Sequence, residues 1–183
     1  MDSPALVIVD LQNDYFPGGR MELEGVEAAA SQAARQLQHY RRRALPIVHI
    51  RHIAALPGAN FFLPDTPGSE IHPAVAPAPA EPVIVKHFPN SFRETDLLSR
   101  LKSLGAESVT ICGAMSHMCI DATTRAAFDF GFSCRVAHDA CATRALAYGA
   151  VTVPAAQVHA AFMAALGAAY AQVLATADLL GKI

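Results

Sequence analysis

Asp10, Lys86 and Cys119 are a carboxylate, an ammonium and a thiol, and all three stand just beyond short apolar runs of this 183-residue chain. Ala5–Val9 ends at Asp10, Pro82–Val85 ends at Lys86, and Val109–Cys112 leads through Gly113 and a turn to Cys119. A helical pattern begins near Cys119, with Thr123, Ala126 or Ala127, and Phe130 on the same face. The nucleophilic form of cysteine is the thiolate, which the free N–H groups and positive dipole end of a helix N-terminus favour. The same N–H groups can receive an oxyanion that forms beside the sulfur. Asp10 can take the thiol proton and return it to a leaving amine. Lys86 can hold Asp10 by a charged hydrogen bond and lower the pKa of Cys119. This is the logic of a nucleophile, a base and an orienting group, without the usual histidine.

Each residue taken singly has a plainer reading. Cysteine often packs as a small hydrophobe, and an acid or a lysine at a strand end often only marks where the chain meets water. Convergence on one crevice is what favours chemistry, so the elements that carry the three residues matter.

Ala5–Val9, Pro46–Arg51, Pro82–Lys86, Val109–Cys112 and Ser133–Ala137 read as strands, most of them continuously apolar as in a buried parallel sheet. Gln172–Ala175 reads as a short edge strand. Amphipathic helices are predicted over Gly25–Arg43, Asp96–Leu104, the stretch after Cys119, and Pro154–Tyr170. Alternation of this kind gives an α/β protein with an open parallel sheet and helices on both faces. Ligands bind such sheets beyond the carboxyl ends of the strands, where all three residues lie. The Pro- and Gly-rich segment His52–Glu81 has no assignable element, and long loops of this kind usually cover a site or an interface.

Length and composition fit one domain spanning 1–183. At 52% hydrophobic residues and a net charge of -2, the chain reads as compact rather than disordered. No basic patch points to nucleic acid, and Arg41-Arg42-Arg43 instead ends a predicted helix. The apolar run near the start is too short for a signal peptide or a membrane span, so a cytoplasmic location and no membrane partner are expected. Cys112, Cys119, Cys134 and Cys141 contain no Cys-x-x-Cys pair and are expected to be free thiols.

The stretches ALVIVDLQNDYFPGG, EPVIVKHFPNSF and VTICGAMSHMCIDATTRAAFDFGF resemble, in order and spacing, the three signature segments of the isochorismatase-like cysteine hydrolases. The resemblance runs from about Pro4 to Ala142 and more weakly beyond. It implies a three-layer α/β/α sandwich around a mainly parallel, Rossmann-like sheet of roughly six strands, a homodimer or homotetramer, and a catalytic triad of Asp10, Lys86 and Cys119. It further implies a cis peptide between Ala114 and Met115, which turns the backbone N–H of Met115, together with that of Cys119, toward the oxyanion. Because Cys119 is present, the resemblance is to the C–N hydrolase branch, related to nicotinamidases and N-carbamoylsarcosine amidohydrolases. The expected reaction is hydrolysis of a small amide, ureido or carbamoyl compound through a thioester.

Departures from that pattern shape the remaining expectations. Metal-dependent nicotinamidases carry an Asp-x-His motif after the second strand, where this chain has His49-Ile50-Arg51-His52. His72 and His87 are scattered, so neither a metal nor another cofactor is expected. The resemblance places Tyr15 at an aromatic substrate contact; Phe92 is a further candidate contact, and it, Phe61 and Phe62 could each be either pocket wall or core. Asn90 and Ser91 follow Lys86 in a loop that could line the pocket. His117, so near Cys119 in the chain, is expected to point elsewhere. The alternatives are a nicotinamidase, or a non-catalytic ligand-binding or redox member of the superfamily.

Overall fold

The computed structural model describes residues 3–182. In chain order the elements are β1 (Pro4–Val9), α1 (Val26–Arg42), β2 (Ile47–His52), β3 (Val83–Lys86), α2 (Leu97–Ser103) and β4 (Ser108–Ala114). They continue with α3 (Asp121–Asp129), β5 (Ser133–Ala142), β6 (Leu146–Tyr148), β7 (Val151–Val153), α4 (Ala155–Ala169), β8 (Gln172–Leu174) and α5 (Thr176–Leu180).

Six strands form one sheet in the order β3-β2-β1-β4-β5-β8, with every neighbouring pair parallel. The most apolar strands take the centre: β1 and β4 are buried at every position. At the edge, β3 alternates, with Val83 and Val85 exposed and Ile84 and Lys86 buried. Alternation along β1 divides the core in two. Leu6 and Ile8 pack with Val26, Ala30, Ala33 and Leu37 of α1 and Leu179 of α5. Ala5, Val7 and Val9 pack with Leu97 and Leu101 of α2, Ala127 of α3, and Met163 and Leu166 of α4. Two helical layers therefore sandwich the sheet, as the sequence pattern predicts.

The site depends on the centre of this order. The chain leaves β1 toward β2 on one side and β4 toward β5 on the other, so a crevice opens between the carboxyl ends of β1 and β4. Gly113 makes the approach possible. It pairs with Val9, has φ +126°, and a Cβ there would run into the Val9 carbonyl.

The structure extends the sequence reading in three places. β5 continues to Ala142, past a register shift against β4 between Ile111 and Gly113. The β6–β7 hairpin and α5 are additional elements, three and five residues long, too short for periodicity to declare them. The segment after β2 holds two 3-10 turns, Pro67–Ser69 and Pro73–Val75, and otherwise irregular backbone.

Candidate active site

Asp10 is the first residue beyond β1. Its φ of +52° turns the chain out of the strand, a conformation Asp tolerates better than most residues. The side chain is wholly buried, and its Oδ2 lies 2.8 Å from Lys86 Nζ. Lys86 ends β3, so its stem must pass β2 to reach Asp10. The ammonium also donates to the carbonyls of Phe88 and Pro89, each at 3.1 Å. Beyond that ion pair, neither Asp10 oxygen has a hydrogen-bond partner among the described residues, which leaves lone pairs open to a proton from the crevice.

Cys119 is brought to the same place from β4. The Ala114–Met115 peptide bond is cis, and Ser116–Ile120 then form a π-helical turn that runs into α3. The sequence reading puts Cys119 in the first turn of an α-helix, whereas the wider π turn carries it ahead of that helix. The Met115 carbonyl accepts from the N–H groups of both Met118 (3.0 Å) and Ile120 (3.2 Å), which fixes the turn. On α3, Thr123 and Ala127 continue the buried face below Cys119, while Phe130 lies exposed at the helix end. Thr123 Oγ1 meets Ser91 Oγ at 2.8 Å and accepts from Ser91 N–H at 3.1 Å. That contact ties the nucleophile's helix to the loop after Lys86.

The ligand atoms of Asp10, His52 and Cys119 all lie within 4.8 Å of one another. Burial pushes the Cys119 thiol up to about 12; the Asp10 carboxylate adds to this, and Lys86 only partly offsets it. Lys86 pulls the thiol pKa down, as expected, but desolvation outweighs it, and the sulfur rests as a thiol beside Asp10. For Lys86, burial alone would favour the neutral amine, but Asp10 and Cys119 raise its pKa and keep the ammonium. Burial lowers the pKa of His52, against the opposing pull of Asp10, so its ring is neutral at neutral pH.

His52 is a site residue that the sequence reading missed. The signal was present: it closes β2 at the same edge as its neighbours, in register with Lys86. Among the described residues, Asp10, His52 and Cys119 are the one convergent group of potential metal ligands. Two of them are the candidate nucleophile and its base, and the Lys86 ammonium already sits on Asp10. Three other histidines are committed elsewhere. His49 Nε2 meets Glu81 at 2.9 Å, His72 stacks on Phe16, and His87 Nδ1 meets the Ile53 carbonyl at 2.8 Å. These residues do not form a nicotinamidase-type metal site apart from the triad.

Cys119 opens into a cavity of about 370 Å³, walled by Tyr15, Leu56, Phe61, Phe88, Met115 and Met118. Tyr15 thus lies where expected, buried and against Phe62 at 4.6 Å between ring centroids. Phe61 is a wall, whereas Phe62 is core. Phe92 is not at the cavity: its ring packs against Phe130 and Phe132, at 5.1 and 6.5 Å, where α3 and β5 draw it into the opposite core. Ser91 is spent on Thr123, and Asn90 Oδ1 accepts from Phe92 N–H at 2.9 Å. His117 points away from Cys119, its Nδ1 2.6 Å from Thr143 Oγ1.

A buried thiol, carboxylate and ammonium thus meet at the switch point of the parallel sheet. Residues 4–178 match the isochorismatase domain. The isochorismatase family protein YddQ of Bacillus subtilis is 51% identical over 172 residues, covering 94% of this chain and 96% of its own. The streptothricin hydrolase of Streptomyces noursei is 36% identical over 142 residues, which is 76% of this chain and 49% of that enzyme. An isochorismatase hydrolase structure from Oleispira antarctica superposes with a TM-score of 0.95 at 51% identity, over 98% of this chain and 97% of that one. The chain belongs to the isochorismatase family. Among the described residues, no helix is long and apolar enough to cross a membrane.

Proposed function

We propose that this protein hydrolyses a small amide, ureido or carbamoyl C–N bond through a thioester on Cys119. The observation that carries the reading is the fully buried Asp10–Lys86 pair, 2.8 Å apart, beside a thiol at the head of an apolar cavity. A buried ion pair in that position is costly as mere structure, and it is suited to moving one proton.

Asp10 accepts the Cys119 proton as sulfur attacks the carbonyl carbon, so the thiolate exists only as the C–S bond forms. Lys86, held by two carbonyls, pairs with Asp10 and orients it before attack. The tetrahedral oxyanion is received by the Met115 and Cys119 backbone N–H groups. Collapse breaks the C–N bond, and the amine or ammonia leaves with the proton from Asp10. Water then gives a proton to Asp10 and its oxygen to the acyl carbon, and the carboxylic acid departs as Cys119 recovers its proton.

Ammonia release from nicotinamide, maleamate, biuret and carbamoylated amino acids tests this, with Cys119→Ala alongside and a chelator present. Release that survives chelation and falls by about 10³-fold or more in the variant is expected. Release abolished by the chelator would instead point to a metal-held substrate.

A further inference from the structure

The cavity also bears on which substrates can be accepted, through the charges it does not offer. Arg and Lys are absent from its lining among the described residues. Lys86, the cation closest to the chemistry, is already committed: it forms an ion pair with Asp10 Oδ2 at 2.8 Å and donates to the Phe88 and Pro89 carbonyls, each at 3.1 Å. Arg93 lies on the Phe88 ring, 3.6 Å from its centroid, and pairs with Glu94 at 3.5 Å. The lining offers a substrate carboxylate no Arg or Lys, only the imidazoles of His52 and His87, and the carboxylate would also meet the buried Asp10.

A substrate cation fares no better. The one carboxylate at the site already carries Lys86, and His52 is a neutral imidazole beside it. His87 commits Nδ1 to the Ile53 carbonyl and stands exposed at the rim. The walls suit a flat or branched hydrocarbon group instead. Tyr15, Phe61 and Phe88 supply aromatic surface, and Met115 and Met118 supply side chains that adapt in shape. At about 370 Å³ the cavity is near the small end of ligand sites, which run from roughly 300 to 1,000 Å³.

We infer that the acyl half of the substrate is small, uncharged and apolar, an aromatic or branched aliphatic carboxamide, set by an apolar wall without a free counter-charge. The inference rests on the proposal that Cys119 is acylated, and the test separates the two. Turnover by the wild-type enzyme is compared for benzamide, nicotinamide and isovaleramide against the anionic maleamate and succinamate and the cationic 4-aminobutyramide. Binding of the same compounds to Cys119→Ala is measured by calorimetry.

Neutral apolar amides are expected to exceed the charged ones by about 100-fold or more in kcat/KM, and to bind the variant correspondingly better. Benzamide should be turned over at least as well as nicotinamide, because apolar contact with Tyr15, Phe61 and Phe88 sets the preference. Placing a cation at the rim with Met118→Arg, where Met118 is 43% exposed, should move the preference toward succinamate by about tenfold. Turnover that favours the anions, or equal binding of all compounds to Cys119→Ala, would overturn the inference. Selective binding of neutral amides without turnover would uphold it and overturn the thioester reaction instead.

Discussion

The two sides of the cavity are built by different means. The side that bears Cys119 and Asp10 rises from β4 and β1, strands buried along their whole length and held to each other by a continuous ladder. The opposite wall comes from the irregular chain after β2, which is held by side chains that reach back to the scaffold. Gln12 Nε2 donates to the carbonyls of His52 and Ser69, both at 2.8 Å, while its Oε1 accepts from His52 N–H at 2.7 Å. Asp14 accepts from Phe62 N–H at 2.6 Å and Arg20 N–H at 3.3 Å, and Gly68 packs directly on its carboxylate. Glu81 gathers Arg41, His49 and the Ala78 N–H at the far end of the segment. The difference separates two jobs. Reacting groups sit where backbone ladders fix them, and the surface that chooses the substrate sits where a few polar anchors could be changed without disturbing the sheet.

If the scaffold side holds the chemistry, Lys86→Met should be the most damaging change away from the nucleophile itself. It leaves Asp10 buried without its partner, a loss of about 3–5 kcal/mol in stability by denaturant unfolding. Activity of the folded fraction should fall by about 10³-fold, because the candidate base loses the ammonium that orients it. A variant that remains stable and active would break the comparison at its strongest point.

Anchors of the irregular wall should behave differently. Asp14→Ala strands the buried Phe62 N–H and should loosen Phe61 and its neighbours. The expected kinetic result is a KM about tenfold higher with kcat within about threefold, because Cys119, Asp10 and Lys86 are untouched. A large fall in kcat with unchanged KM would mean that the wall positions the reaction as well as the substrate.

Glu81 gives the smallest and most pH-specific effect. Burial alone would raise its pKa, but Arg41, the Ala78 N–H and His49 together lower it to about 2. A depressed carboxyl stabilises the fold above its ordinary value, and that contribution is lost as the pH falls through about 2. Glu81→Gln should cost about 1–2 kcal/mol at pH 7 and flatten the acid limb of a pH–stability curve. An acid limb identical to that of the wild type would show that the anchor contributes nothing.

The same division decides what the sequence discloses. β1 and β4 are legible because a strand buried on both faces must be apolar throughout, and Asp10 and Cys119 follow them directly. The order and spacing of the three signature stretches place Lys86 with them. His52 was readable by the strand-end rule but lay inside a stretch searched for a metal motif. Phe92 and Phe61 could not be separated from sequence, since both are phenylalanines in loops. Their places depend on contacts with Phe130 in one case and Tyr15 in the other. The height of the Cys119 pKa was equally hidden, because it depends on how completely the fold removes water from the sulfur.

The central claim is a covalent acyl group on Cys119, and intact-protein mass spectrometry during turnover of a small neutral amide tests it most directly. The account predicts a transient mass increase equal to the acyl group, localised by peptide mapping to Cys119, released by hydroxylamine and absent in Cys119→Ala. Turnover of the amide by the Cys119→Ala variant, or an acyl group found on another residue, would contradict it.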